Sequence, residues 1–132
     1  MLYTCLSENE KRRFCSILMA AVSEDQSITE GEQDALIRER IELDVSDISG
    51  DIPYEEAIAW LSVNSSVRTK RAMLLEIAIL LYNDTELTDE EGDLLHDMAR
   101  RFKIDNLPDF IAAGKRIGAA YASADPLFAD YL

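Results

Sequence analysis

Four carboxylates stand at a spacing that suits the binding of a hard cation. Asp25 and Glu32 lie seven positions apart, and Asp84 and Glu91 repeat that interval further along the chain. Each pair frames one acidic phrase written twice, Asp25-Gln-Ser-Ile-Thr-Glu-Gly-Glu32 and Asp84-Thr-Glu-Leu-Thr-Asp-Glu-Glu91. Carboxylate oxygens, completed by loop carbonyls and water, suit Ca²⁺, Mg²⁺ or Mn²⁺. Glu86, present only in the second copy, offers one further ligand. The pattern is not an EF-hand: its glycine would fall at Glu30 and Asp89, and its closing glutamate at Leu36 and Leu95. A plainer reading competes. Thr29-x-x-Glu32 and Thr88-x-x-Glu91 are both capping boxes, in which Glu reaches back to the backbone N–H of the Thr. Capping accounts for the threonines and glutamates with no ion at all. It leaves Asp25 and Asp84 unexplained, so the case for a cation rests on those two.

Other chemistry-bearing residues are fewer. His96 is the sole histidine, and Asp93, His96 and Asp97 share one side of a helix, as a transition-metal site or as a solvated polar face. Glu76 interrupts an apolar run, where it is either a buried ion-pair partner for Arg100 or Arg101 or a cryptic ligand, and Glu39 poses the same question. Arg68, Lys70 and Arg71 open a helix, where the dipole disfavours them, and are expected to pair with acids of the 44–56 region. Cys5 and Cys15 have neither CxxC nor metal-ligand spacing and read as reduced, buried thiols. No nucleophile, base and orienting acid can be assembled, and no Gly-rich loop precedes a helix in a phosphate-binding pattern, so an enzyme is not expected.

Positioning these groups falls to helices. Phe14, Ile17, Leu18, Ala21 and Val22 recur at helical spacing over residues 8–23. Thr29 caps a second helix with Ala35, Leu36 and Leu43 on one face. Residues 44–53 form a turn-rich loop closed by Gly50 and Pro53, and Pro53 suits the first turn of a short third helix holding Ala57, Ile58, Trp60 and Leu61. Asn64-Ser65-Ser66 breaks that helix and caps a fourth over 67–82, Thr88 caps a fifth reaching about residue 102, and Pro108 begins a sixth ending near 122. Steps of three, four, seven and eleven from Glu91 reach Leu94, Leu95, Met98 and Phe102, so this Glu projects toward the core, as Glu32 does on its own helix. The expected fold is an all-α single-domain bundle of about six to seven helices, built from two related helical hairpins. The tail from Tyr121 to Leu132 either packs across the bundle or docks in a second subunit.

Composition narrows the partners. A chain of 132 residues with 48% hydrophobic content is long enough for one domain with its own core. Its net charge of −13 opposes direct contact with nucleic acid or anionic lipid and favours cations and basic protein partners. The most apolar stretch, 73–82, contains Glu76 and falls short of the roughly 20 residues a membrane span needs. With no leader pattern at the N-terminus, a cytoplasmic location without membrane insertion is expected.

An apolar helix running into Asp, followed by aliphatic-Thr-x-x-Glu opening the next helix, twice in one helical domain, resembles the tellurite-resistance TerB-like domains. The resemblance covers residues 14–104. Asp25, Ile28 and Glu32 match the family motif in the first copy, and Asp84, Leu87 and Glu91 in the second. Gln26 and Thr85 stand where the family carries Gly, and Glu24 and Asn83 where it carries Ala. The resemblance implies a non-enzymatic, stress-associated helical module with a paired acidic site for a divalent metal at Asp25, Glu32, Asp84 and Glu91. Two alternatives stay open: an acidic protein-interaction domain whose turns are only caps, and an acidic mimic of nucleic acid.

Overall fold

The computed structural model of the chain describes residues 6–23, 36–40, 43–44, 51–82 and 88–124. Among these residues every regular element is an α-helix and no strand occurs. Helix α1 spans Glu8–Ser23 and starts on a local motif: the Ser7 hydroxyl accepts from the Glu10 N–H (3.2 Å) while the Glu10 carboxylate accepts from the Ser7 N–H (3.0 Å). This reciprocal box satisfies two N–H groups that a helix start otherwise leaves open. Helix α2 is described over residues 36–40, with Leu43 also helical. Helix α3, Tyr54–Asn64, follows Pro53 at its N-cap, one position earlier than the first turn expected for that proline.

Helix α4, Val67–Leu81, is capped by Ser66, whose hydroxyl accepts from the Thr69 N–H at 3.1 Å. Its residues from Met73 to Leu81 are buried, save the partly covered Leu75, which places this helix at the centre as its apolar run implied. Helix α5, Asp89–Arg101, begins at Thr88 and ends in the two bonds of a Schellman turn, Ile104 N–H to Ala99 carbonyl (2.8 Å) and Lys103 N–H to Arg100 carbonyl (3.2 Å). Lys103 takes a φ of 57° there, a left-handed conformation that costs a side-chain-bearing residue about 1–2 kcal/mol and glycine nothing. Lys103→Gly is therefore expected to stabilise the fold by about 0.5–1 kcal/mol, read by urea unfolding; an unchanged midpoint would count against the strain. Helix α6, Leu107–Ala124, completes the bundle.

Packing partners are not the nearest neighbours in sequence. The most extensive interface is between α4 and α6, the next between α1 and α3, and α1 joins the two pairs through α4. Helix α5 lies against α3, α4 and α6. The core drawn from these helices contains Phe14, Ile17, Leu18, Ile58, Leu61, Met73, Leu74, Ile77, Leu80 and Leu95, all essentially inaccessible to water. Two glycines one helical turn apart, Gly114 and Gly118, let α6 lie directly on the backbone of α4. A Cβ at Gly114 would meet the Ala78 Cβ at 2.7 Å, and one at Gly118 would meet the Tyr82 carbonyl carbon and oxygen at 2.8 Å. No helix among the described residues is long and apolar enough to cross a membrane.

Candidate functional site

Of the four repeat carboxylates, Glu91 lies within the described residues, while Asp25, Glu32 and Asp84, together with Glu86, lie outside them. Glu91 sits half-buried in the first turn of α5, above Leu94, Leu95 and Met98 as its helical position required. Its carboxylate accepts from the Thr88 N–H at 3.4 Å, and the Thr88 hydroxyl accepts from the Glu91 N–H at 3.2 Å. The capping box anticipated for this copy is thus formed. The same box at Ser7 and Glu10, outside the repeat, went unforeseen, although Ser7-x-x-Glu10 carries the pattern as plainly. Burial, then the Glu91 charge, push the Tyr82 phenol up. No group of three or more His, Cys, Asp or Glu side chains among the described residues is placed to hold a metal ion.

An open groove of about 390 Å³ runs where α1, α3 and α5 meet. Ala20 and Leu94 supply its apolar lining, and Tyr54, Glu55, Glu90, Asp93 and Asp97 the polar part. Helical spacing explains three of these: Glu90, Asp93 and Asp97 follow one another at intervals of three and four on α5. The fold brings Tyr54 and Glu55 to meet them from the first turn of α3. The Tyr54 hydroxyl donates to Asp97 Oδ2 at 2.7 Å, and Arg101 donates to Glu55 Oε2 at 2.9 Å while lying 4.0 Å from Asp97. Arg100 also pairs with Asp97. Burial opposes ionisation of Asp97, but the hydrogen bonds from Tyr54 and Arg100 and the charges of both arginines outweigh it and hold the carboxyl below its usual range. Burial, reinforced by the bond to Asp97, keeps Tyr54 a neutral phenol far above its ordinary titration. Glu90 and Asp93 are exposed. The groove therefore offers an apolar floor, one fixed hydroxyl and carboxylates on its rim, a set that attracts a cationic group carried on an aliphatic stem.

The remaining candidates are distributed differently from expectation. Asp93 and Asp97 line the groove, whereas His96 is exposed and does not. Arg100 and Arg101 pair with Asp97 and Glu55 at the groove, not with Glu76. Glu76 and Glu39 are both buried, each 3% exposed, and burial, then the charge of the Glu39 carboxyl, push Glu76 up to about 8. The spacing rule could not reveal this influence, since the residues come from different helices. Lys70 donates to the Ser62 carbonyl at 3.2 Å and Arg71 lies over the Phe110 ring at 5.2 Å, so among the described residues neither is paired with the acids of the 44–56 region assigned to it. Two of those acids meet other arginines, Asp51 with Arg12 and Glu55 with Arg101. Cys15 is buried, Tyr121 lies under Arg38 at 3.8 Å, and Cys5 and residues 125–132 lie outside the described residues. In comparisons with protein families, curated proteins and solved structures, the chain matches none of them.

Proposed function

We propose that this chain is a non-enzymatic acidic helical module whose groove between α1, α3 and α5 receives a basic segment of a protein partner. The observation that carries the reading is the groove itself: carboxylates from two helices around an apolar floor, on a chain of net charge −13. A Lys or Arg side chain lays its methylenes on Ala20 and Leu94 and its charged head among Glu90, Asp93 and the Tyr54–Asp97 pair. Rim charges of this kind act mainly on the rate and salt dependence of association.

A second reading is favoured by the twofold repeat, which a groove does not require. In it Asp25, Glu32, Asp84 and Glu91 bind a divalent cation, Ca²⁺, Mg²⁺ or Mn²⁺, as the resemblance to TerB-like, stress-associated domains implies. One set of titrations separates the two. A fluorescent Lys/Arg-rich peptide is expected to bind the wild type in a salt-sensitive, chelator-insensitive manner, and Glu90→Lys with Asp93→Lys to weaken it about tenfold. Glu8→Lys with Asp105→Lys changes the net charge equally on exposed sites away from the groove, and is expected to weaken binding far less. Equal losses in the two double variants would reduce the groove to unspecific charge attraction. Calorimetric binding of an ion that disappears in Asp25→Asn with Asp84→Asn, and leaves the peptide titration untouched, establishes the cation reading instead.

A further inference from the structure

Two valines stand open to water at the corner where α3 gives way to α4. Val63 is 83% exposed and Val67 68%, and among the described residues these are the exposed large apolar side chains. Arg68 and Arg71 are exposed beside them. The first turn of α4, where Arg68 stands, holds no acidic residue, whereas α1, α3, α5 and α6 all start with one or more. A cation in that position opposes the helix dipole and calls for a carboxylate close by. Among the described residues no ion pair engages Arg68. The corner thus presents what the groove between α1, α3 and α5 accepts, a cation on an aliphatic stem with apolar surface next to it. Tyr54 and Glu55 of the groove open α3 and the corner closes it, about 15 Å away along one continuous helix. No chain can therefore fill its own groove. We infer that the basic segment received by the groove is the α3–α4 corner of a second copy of this chain.

The inference rests on the groove reading and supplies its occupant. The Arg68 guanidinium of one copy lies among Glu90 and Asp93 of the next, while Val67 and the Arg68 methylenes cover Ala20 and Leu94. Two different surfaces meet, so the contact is heterologous. Every added copy still offers a free groove and a free corner, and assembly runs on into chains or closes into rings. At a net charge of −13 the copies repel at a distance, and the attraction is local to the corner and the rim. A groove of about 390 Å³ takes side chains rather than a whole helix, which makes the contact weak and dependent on concentration.

Sedimentation equilibrium from about 10 μM to about 1 mM, a range that covers weak complexes, tests the contact. The wild-type average mass is expected to rise with concentration past that of a dimer. Arg68→Glu is expected to weaken the association about tenfold or more. The new acid is exposed at a helix start that favours it, so the fold is not at risk. Glu90→Lys with Asp93→Lys is expected to weaken association as much, although its lower net charge makes the copies repel less. All three substitutions in one chain reverse both surfaces and are expected to restore wild-type association. A wild type that stays monomeric throughout, an Arg68→Glu chain that associates as the wild type does, or a triple variant that stays monomeric overturns the inference. The Lys/Arg-rich peptide keeps the two claims apart, since Arg68→Glu retains its groove and must still bind it. Peptide binding by a monomeric wild type removes the second copy as occupant and leaves the groove reading standing. A monomeric wild type that binds no peptide ends both.

Discussion

Gly118→Leu is expected to unseat α6 and to lower stability by about 3 kcal/mol or more, and Gly118→Ala by about 1–3 kcal/mol. In an exposed helix interior the alanine would be the better residue by about 1 kcal/mol, since glycine carries the larger entropic cost. Here the new Cβ arrives 2.8 Å from both the carbon and the oxygen of the Tyr82 carbonyl and 3.0 Å from the Ile79 oxygen. Backbone atoms at the end of α4 have no rotamer into which to retreat, so the two helices must separate, and every apolar contact along their shared face loosens with them. Gly114 stands under the same constraint against Ala78. Chemical denaturation reads the effect as a lower midpoint at an unchanged slope. A Gly118→Ala protein more stable than the wild type would mean that α6 does not lie on α4 at this distance.

Replacing both buried acids by apolar side chains of similar length, Glu39→Met with Glu76→Met, is expected to raise stability near neutral pH by roughly 1–4 kcal/mol. At that pH the unfolded chain has both carboxyls ionised and hydrated, and folding must strip that water and retain a proton against the solvent's tendency to remove it. Methionine brings no such cost and its flexible thioether fills irregular space. Glu76→Ala alone is expected to do the opposite, because it opens a cavity among the buried residues of α4. The difference between double and single variants, measured by urea unfolding at one pH, separates the cost of the acids from the cost of lost volume. A double variant less stable than the wild type would show that the pair contributes more than it costs.

Local chemistry was legible in the sequence to a degree that tertiary chemistry was not. The periodicity of Phe14, Ile17, Leu18, Ala21 and Val22 specifies α1 with both of its boundaries, and Ser66 and Thr88 mark the starts of α4 and α5 because an N-cap is decided within four residues. The acidic face of α5 could be read from its spacing too. What escaped depends on pairs distant along the chain. Tyr54 with Asp97 and Arg101 with Glu55 join α3 to α5, and a helical wheel holds no information about which wheel it will face. Arg100 and Arg101 were natural partners for a buried Glu76 by charge alone, yet they sit on the side of α5 that meets α3. The weight carried by α6 was also hidden. Its Gly114-x-x-x-Gly118 is the signal that was available, since small residues one turn apart permit backbone contact. The glutamates of the repeat were placed correctly in the one copy that is described, with Glu91 on the core side of α5 and engaged in its cap.

Trp60 is the sole tryptophan of the chain, and the Arg13 guanidinium lies 4.1 Å from its ring centroid. The indole is half-buried where α1 rests on α3, so its emission is a built-in optical gauge of that junction alone. The seam of α6 on α4 belongs to a different contact. Loosening of α6 on α4 should therefore pass without a shift in emission, while separation of α1 from α3 should redden it. A single cuvette thus distinguishes partial opening from collapse of the whole bundle.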